Sequence, residues 1–266
     1  MKKQINNFLA KGFMITNFCF NLKSINIIYM KNLKKTVLLL LLATFTVTVN
    51  SQVLISILLG DALNTPKIEF GLEGGWSHSY INTISESEPI NNFDLGFYFH
   101  FLMKNNSYLS TGVKVKSNVG ATGMPVYSMD DPDFDAIYEG GTLTKKIPGF
   151  YVPILFHQRI KQKWYVEAGP QLGLLYRELD IFTAEKLGGD LEFKLDVKDQ
   201  YKHIDAGLTA GLGYKFSKVQ KSTSIGVNYY YGLVDVSLNP DYKIKNSAFY
   251  FFVKIPIGAA PKEPKE

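Results

Sequence analysis

The sequence predicts an all-β fold, an eight-stranded antiparallel up-and-down transmembrane β-barrel with short periplasmic turns and longer external loops. Three observations lead there. Apolar and polar residues alternate with a period of two over long stretches, and the polar faces are built of glycine, hydroxyl and charge. Each stretch has about ten residues or more, enough to cross a bilayer at a tilt. Short and long connections alternate along the chain, as they do where one rim of a barrel turns tightly and the other carries loops.

The chain has 266 residues, 46% hydrophobic and 14% aromatic, and a formal charge of +5. The positive charge is unevenly placed. Residues 1–51 contain seven lysines and no acid. The 29 basic residues less those seven leave 22, against 24 acidic residues, so the remainder is slightly acidic and nothing points to nucleic acid. From Met30 the chain reads as a secretory signal. Lys31, Lys34 and Lys35 precede the apolar run 36–49, and Val49 and Ser51 offer small-residue cleavage positions that leave Gln52 first in the mature chain. Residues 1–29 then read as over-called leader, with the true start at Met30 and the signal peptide at 30–51. Cys19 is the single cysteine and lies in that leader, so the exported chain carries no disulfide framework.

Residues 52–67 begin with VLISILLGDAL, too short to span, and read as a periplasmic N-terminal segment. The barrel is expected over 68–257. Strand one, 68–80, sets Ile68, Phe70, Leu72, Gly74, Trp76 and Tyr80 against Glu69, Gly71, Glu73, Gly75, Ser77 and Ser79. Strand two turns Phe93, Leu95, Phe97, Phe99 and Phe101 one way and Asp94, Gly96, Tyr98 and His100 the other. A face this rich in phenylalanine is ordinary against lipid and hazardous in water. KNNS at 104–107 makes a tight turn. Strand three alternates Leu109, Thr111, Val113 and Val115 with Ser110, Gly112, Lys114 and Lys116.

Residues 118–148, rich in glycine, aspartate and proline, read as a long loop. Its MDDPDFD run lacks the spacing of a calcium loop and reads as solvated. Strand four covers 150–159. In strand five, 164–176, Pro170 argues for a bulge or an irregular ladder. Residues 177–202 read as a second excursion. Leu191, Phe193, Leu195 and Val197 alternate there with parity opposite to Ile204 onward, so either two strands run on past a bulge or an extra hairpin exists. The hairpin 203–236 follows, with His203, Asp205 and Lys215 on its polar face. Then come a loop at 237–246, the last strand at 249–257 and a charged tail at 258–266.

Parity gathers Glu69, Glu73, Asp94, Lys114, Lys116, Glu167, Asp205, Lys215 and Lys254 in the lumen, with His100 and His203. An eight-stranded barrel is filled by its side chains, so these groups are expected to pair with one another as a structural network. A narrow pore for small solutes through the same residues is the alternative. Trp76, Tyr80, Trp164, Tyr176, Tyr214 and Tyr231 stand near strand ends, where membrane barrels carry aromatic girdles. No catalytic, cofactor or metal residue is assigned. His78 alone among the histidines is on the lipid face, and its neighbours Ser77 and Ser79 point the other way. A soluble lipocalin-like ligand-binding barrel is the other alternative, and it would need the apolar faces inside.

The stretches QVLISILLGDALNTPKIEFGLEGGWSHSYI, YVPILFHQRIKQKWYVEAGPQLGLLY, HIDAGLTAGLGYKF, NYYYGLVDVS and FYFFVKIPI resemble the PorT-like outer-membrane β-barrel proteins, porin-family small barrels typical of Bacteroidota. The resemblance covers roughly 52–257 and rests on ordered glycine–aromatic patterns. It implies an eight-stranded barrel in the cell outer membrane. It also brings in envelope or secretion-system protein partners, since the founding type is associated with a secretion system, though no residue motif carries that role over. The bilayer itself is the first partner, the barrel is expected as a monomer, and loops 81–92, 118–148, 177–202 and 237–246 are its recognition surface.

Overall fold

Eight strands pair in a closed ring: β1 (Ile68–Ile81), β2 (Glu88–Lys104), β3 (Ser107–Pro125), β4 (Thr142–Arg159), β5 (Trp164–Leu175), β8 (Ile204–Lys215), β9 (Ser224–Gly232) and β10 (Asn246–Pro256). Each pairs antiparallel with the next, and β10 returns to β1 from Gly71↔Pro256 to Ile81↔Asn246. The ring therefore has no open edge. Two further strands, β6 (Leu179–Lys186) and β7 (Gly189–Asp196), form a hairpin outside it, and a seven-residue helix, α1 (Pro132–Tyr138), lies between β3 and β4. This computed structural model describes residues 63, 65–104, 106–186, 189–240 and 242–257, all within the unit Leu58–Glu266. The leader 1–29, the signal peptide 30–51, all of 52–67 except 63 and 65–67, and the tail 258–266 lie outside the described residues.

Alternation decides which face is which. Along β5 the odd positions Tyr165, Glu167, Gln171 and Leu175 are buried, and the even ones are exposed from Trp164 to Leu174. The same holds in β8, where Asp205, Thr209 and Lys215 are buried while Ile204, Leu208 and Leu212 are half exposed. The polar face is therefore inside and the aliphatic–aromatic face outside, the reverse of a lipocalin-like barrel. Twelve residues of β5 at ~3.3 Å each, tilted by ~40°, give an apolar band about 30 Å tall, a bilayer core's thickness.

The interior is narrow, and glycine makes room for the rings that fill it. A Cβ at Gly213 would stand 2.2 Å from Cζ of Tyr165, and one at Gly173 would stand 2.7 Å from the ring of Tyr151. Both tyrosines are buried. The glycine-rich face seen in the sequence is thus the complement of inward aromatic residues on neighbouring strands.

Several features depart from the sequence reading. β3 and β4 run on through the expected loop, pairing from Ser117↔Gly149 to Pro125↔Thr142. Val119, Ala121, Leu143 and Ile147 are buried there, an alternation that the glycines and prolines obscure. Lys116 is not in the lumen. Leu95 pairs with Lys116 but Gly96 with Lys114, and against β4 the register steps from Lys114↔Tyr151 to Ser117↔Gly149. One extra residue in β3 makes a β-bulge, which turns Lys116 outward, 5.7 Å from the centre of the Phe93 ring, and brings Ser117 in. His203 is exposed, just before β8.

At Pro170 the expected irregular ladder is present, without a bulge. β5 keeps one register with β8 throughout, while the ladder to β4 skips Ile154 and Leu155 opposite Gly169 and Pro170 and resumes in phase. The opposite-parity run after 177 is the extra hairpin. The MDDPDFD run is not a plain loop either: Asp131 caps α1, its Oδ1 accepting from the backbone N–H groups of Asp133 at 3.0 Å and Phe134 at 3.2 Å. Gly140, with φ of 75°, then lets the chain leave the helix.

Candidate functional site: a filled lumen beneath a loop cap

The lumen groups come from all eight strands of the ring and form two linked clusters. In the first, the Lys215 Nζ lies 3.0 Å from Glu69 Oε2, Tyr98 donates to Glu69 Oε1 at 2.9 Å, and His100 Nδ1 is 3.6 Å away. In the second, Lys254 Nζ stands 3.3 Å from both oxygens of Glu167, which also meets His157 Nδ1 at 3.2 Å and the Asn228 amide at 2.6 Å. Lys254 further reaches Glu73 at 3.7 Å, and Lys114 reaches Glu73 at 3.6 Å while its Nζ lies 3.2 Å from the centre of the Tyr250 ring. Among the described residues Asp205 has no cation partner and instead accepts from Tyr230 at 2.7 Å and Asn246 at 2.9 Å. Asp94 is buried.

Sequence parity named most of these residues. Tyr98, Asn228 and Tyr230 stand on the inward face by the same parity, though outside the network named from it; His157, whose strand four was not split into faces, and Asn246, read as loop, were missed. His100, His157 and Glu167 bring three donor atoms within 4.8 Å of one another. Both oxygens of Glu167 already face the Lys254 ammonium, so a dication there would have to displace a cation from its partner. Between these side chains the void lined by Glu73, Tyr98, Lys114, Glu167, Asn228 and Lys254 measures about 10 Å³, roughly the space of one water.

On the outer face, Trp164 and Tyr214 pack at 5.0 Å beside the short turn 160–163. At the other rim Phe150 and Tyr176 pack at 5.0 Å, and the Tyr80 hydroxyl meets that of Tyr229 at 2.7 Å. Tyr231 lies on β9, paired with Leu208 and Ser247. Trp76 sits mid-strand in β1, because β1 continues past the apolar band. Its Nε1 donates to Asn91 at 3.3 Å, and the His78 ring meets the same oxygen at 2.8 Å. Among the described residues His78 therefore has an amide partner and no serine.

Above this rim the four long connections close over the barrel. Val119, Ile147, Phe182, Tyr201, Val236 and Ile244 form a buried core here. α1 docks on it through Phe134, whose ring packs 5.4 Å from Phe182 and 5.0 Å from Phe193. Backbone bonds lace the loops, from Leu238 N to Gln200 O at 2.8 Å and from Asn82 N to Lys245 O at 2.9 Å. The Lys145 ammonium makes hydrogen bonds of 2.9 and 2.8 Å to the two oxygens of Asp180, and Tyr127 donates to the same carboxylate at 3.0 Å. β4–β6 pairing sets Lys145 opposite Asp180. A cavity of about 470 Å³ opens beside this pair. No motif in the sequence announced it, since its residues come from four separate connections and from the ends of β3 and β4.

Glu178, also in the cap, is buried with both oxygens lacking hydrogen-bond partners among the described residues. Burial pushes its carboxyl up to about 6, the nearby His203 pulls it back, and Asp196 adds to the rise. A raised acid binds its proton more tightly folded than unfolded, so this group's contribution to stability falls as pH rises through roughly 4.5 to 6. Glu178→Gln is expected to raise the unfolding midpoint at pH 8 and leave it unchanged at pH 4, measured by denaturant titration in lipid vesicles.

A closed ring with charges inside and a bilayer-high apolar band outside defines an integral outer-membrane β-barrel protein. The chain belongs to the outer membrane protein beta-barrel domain family, whose model matches residues 62–238. No significant match to a curated protein was found. Among solved structures the chain resembles Ail, the attachment invasion locus protein of Yersinia pestis, solved with the heparin analogue sucrose octasulfate, at 11% identity and TM-score 0.39 over 72% of this chain and 99% of that one. It also resembles neisserial surface protein A at 11% identity and TM-score 0.35, over 70% of this chain and 96% of that one. A third likeness is to OprG of Pseudomonas aeruginosa, at 10% identity and TM-score 0.36, over 73% of this chain and 97% of that one.

Proposed function

We propose that this outer-membrane barrel has a structural and interaction role, neither catalytic nor conducting, and that it acts through its long loops at the cell surface. The packed cap is the observation that carries the reading. Free loops would pay ordering entropy on meeting a partner, whereas a cap with its own buried core presents a shaped surface in advance. The charged lumen then serves as a structural filling, and the outer aromatic residues anchor the two bilayer interfaces. Export through the signal at 30–51, a monomeric barrel and envelope or secretion-system partners complete the proposal. The finer PorT-like placement rests on the strand motifs.

Orientation is tested by cysteine labelling, because the sole native cysteine is Cys19 in the leader. Gly189→Cys, at the β6–β7 tip, should react with a membrane-impermeant maleimide on intact cells. Lys218→Cys, in the 216–223 turn, should react only after permeabilisation. The reverse pattern would place the cap in the periplasm and end the cell-surface reading. Conduction is tested in planar bilayers. With voids of about 10 Å³ between the lumen charges, no discrete current steps are expected; regular single-channel steps would favour the pore.

A further inference from the structure

We infer that the cap cavity is a binding site for an uncharged, mainly apolar small molecule that carries one oxygen acceptor. This deepens the proposed recognition role and rests on the cap being its working end. The cavity's volume, about 470 Å³, falls within the range of small-molecule sites. All four long connections contribute to it. Ile84, Met124 and Leu143 supply aliphatic wall, and Tyr127 and Tyr242 supply rings.

The polar element is Lys145, which lines the cavity. An ammonium has three N–H donors. Its hydrogen bonds among the described residues both go to Asp180, which leaves one donor for an occupant. The charge of Lys145 is already met by Asp180, and its Nζ lies 5.8 Å from the Tyr127 ring and 5.9 Å from those of Tyr201 and Tyr242. An anion would gain little from a neutralised ammonium and would pass the exposed Glu86 carboxylate that also lines the cavity. A cation would find its aromatic surroundings already taken by Lys145. A neutral ligand with a carbonyl, ether or hydroxyl oxygen meets neither obstacle, and its apolar body gains from leaving water.

The test uses the full-length protein in lipid nanodiscs with 3-fluorotyrosine at position 242, and follows the fluorine signal while coumarin is added. Coumarin is neutral, with an apolar fused ring and a lactone carbonyl. The expected result is a saturable shift, with indane, an apolar bicycle without an acceptor, binding at least fivefold more weakly. Ile84→Trp, which fills the cavity from a loop position, should weaken coumarin at least tenfold. A linear, non-saturating shift, the same for both probes, would be bilayer partitioning and would overturn the site. So would saturation that Ile84→Trp leaves unchanged. The indane comparison uses the unaltered cavity, so a misfolded variant does not spare the proposal. If Gly189→Cys labels on intact cells and coumarin fails, only the binding site falls. If coumarin binds and Gly189→Cys is silent until permeabilisation, the cell-surface reading falls and the site stands.

Discussion

Replacing Lys254 with methionine is expected to cost about 3–5 kcal/mol of barrel stability, because it removes one partner of a buried ion pair and leaves the other behind. Lys254 stands against both oxygens of Glu167 and reaches Glu73 as well. With the ammonium gone, Glu167 keeps, among the described residues, a histidine and an amide, beside a void of about 10 Å³ that cannot hold bulk water. The unfavourable term is therefore the stranded carboxylate, more than the lost attraction. That distinction has its own readout. In the double variant Lys254→Met with Glu167→Gln the charge is removed with its partner, and at least half of the lost stability should return. Urea unfolding of the folded barrel in lipid vesicles measures both. A single variant within 1 kcal/mol of wild type would mean that water reaches Glu167, which would reopen the pore reading.

The barrel was legible because lipid imposes a rule that sequence displays directly: every crossing strand must alternate, and the apolar side must face out. Parity alone therefore placed Glu69, Glu167, Lys215 and Lys254 in the lumen. It failed where the rule was locally broken. The bulge at Lys114–Ser117 shifts the alternation by one residue, and nothing in VKVKSNV marks which residue is the extra one. His157 escaped because PILFHQR carries apolar residues on both faces. The cap was least legible. Above the membrane, strands need only bury one side against a small shared core, and Lys145 and Asp180 are 35 residues apart, meeting only through the β4–β6 register. The parity break at 191–197 was the one sign of the hairpin that sets this register.

Arginine substitutions along the outer face of β8 are expected to cost stability according to depth. Leu208 is half exposed, two residues from the middle of the apolar run between Ile204 and Phe216. A guanidinium there must be drawn toward an interface or pull water into the hydrocarbon. Leu208→Arg should therefore lose about 2–3 kcal/mol, as measured for cations near the bilayer midplane of such barrels. Ile204, equally exposed, stands at the rim beside the aromatic residues Phe150 and Tyr176. Ile204→Arg should lose at most about 1 kcal/mol, because its side chain reaches the headgroups without distortion. Exposure is the same at the two sites, so exposure cannot explain a difference between them; only an apolar medium with a thickness can. Unfolding of both variants in lipid vesicles decides the matter. Equal small costs at both positions would mean that the outer face meets water along its whole height, and the inside-out assignment of every strand would fall with it.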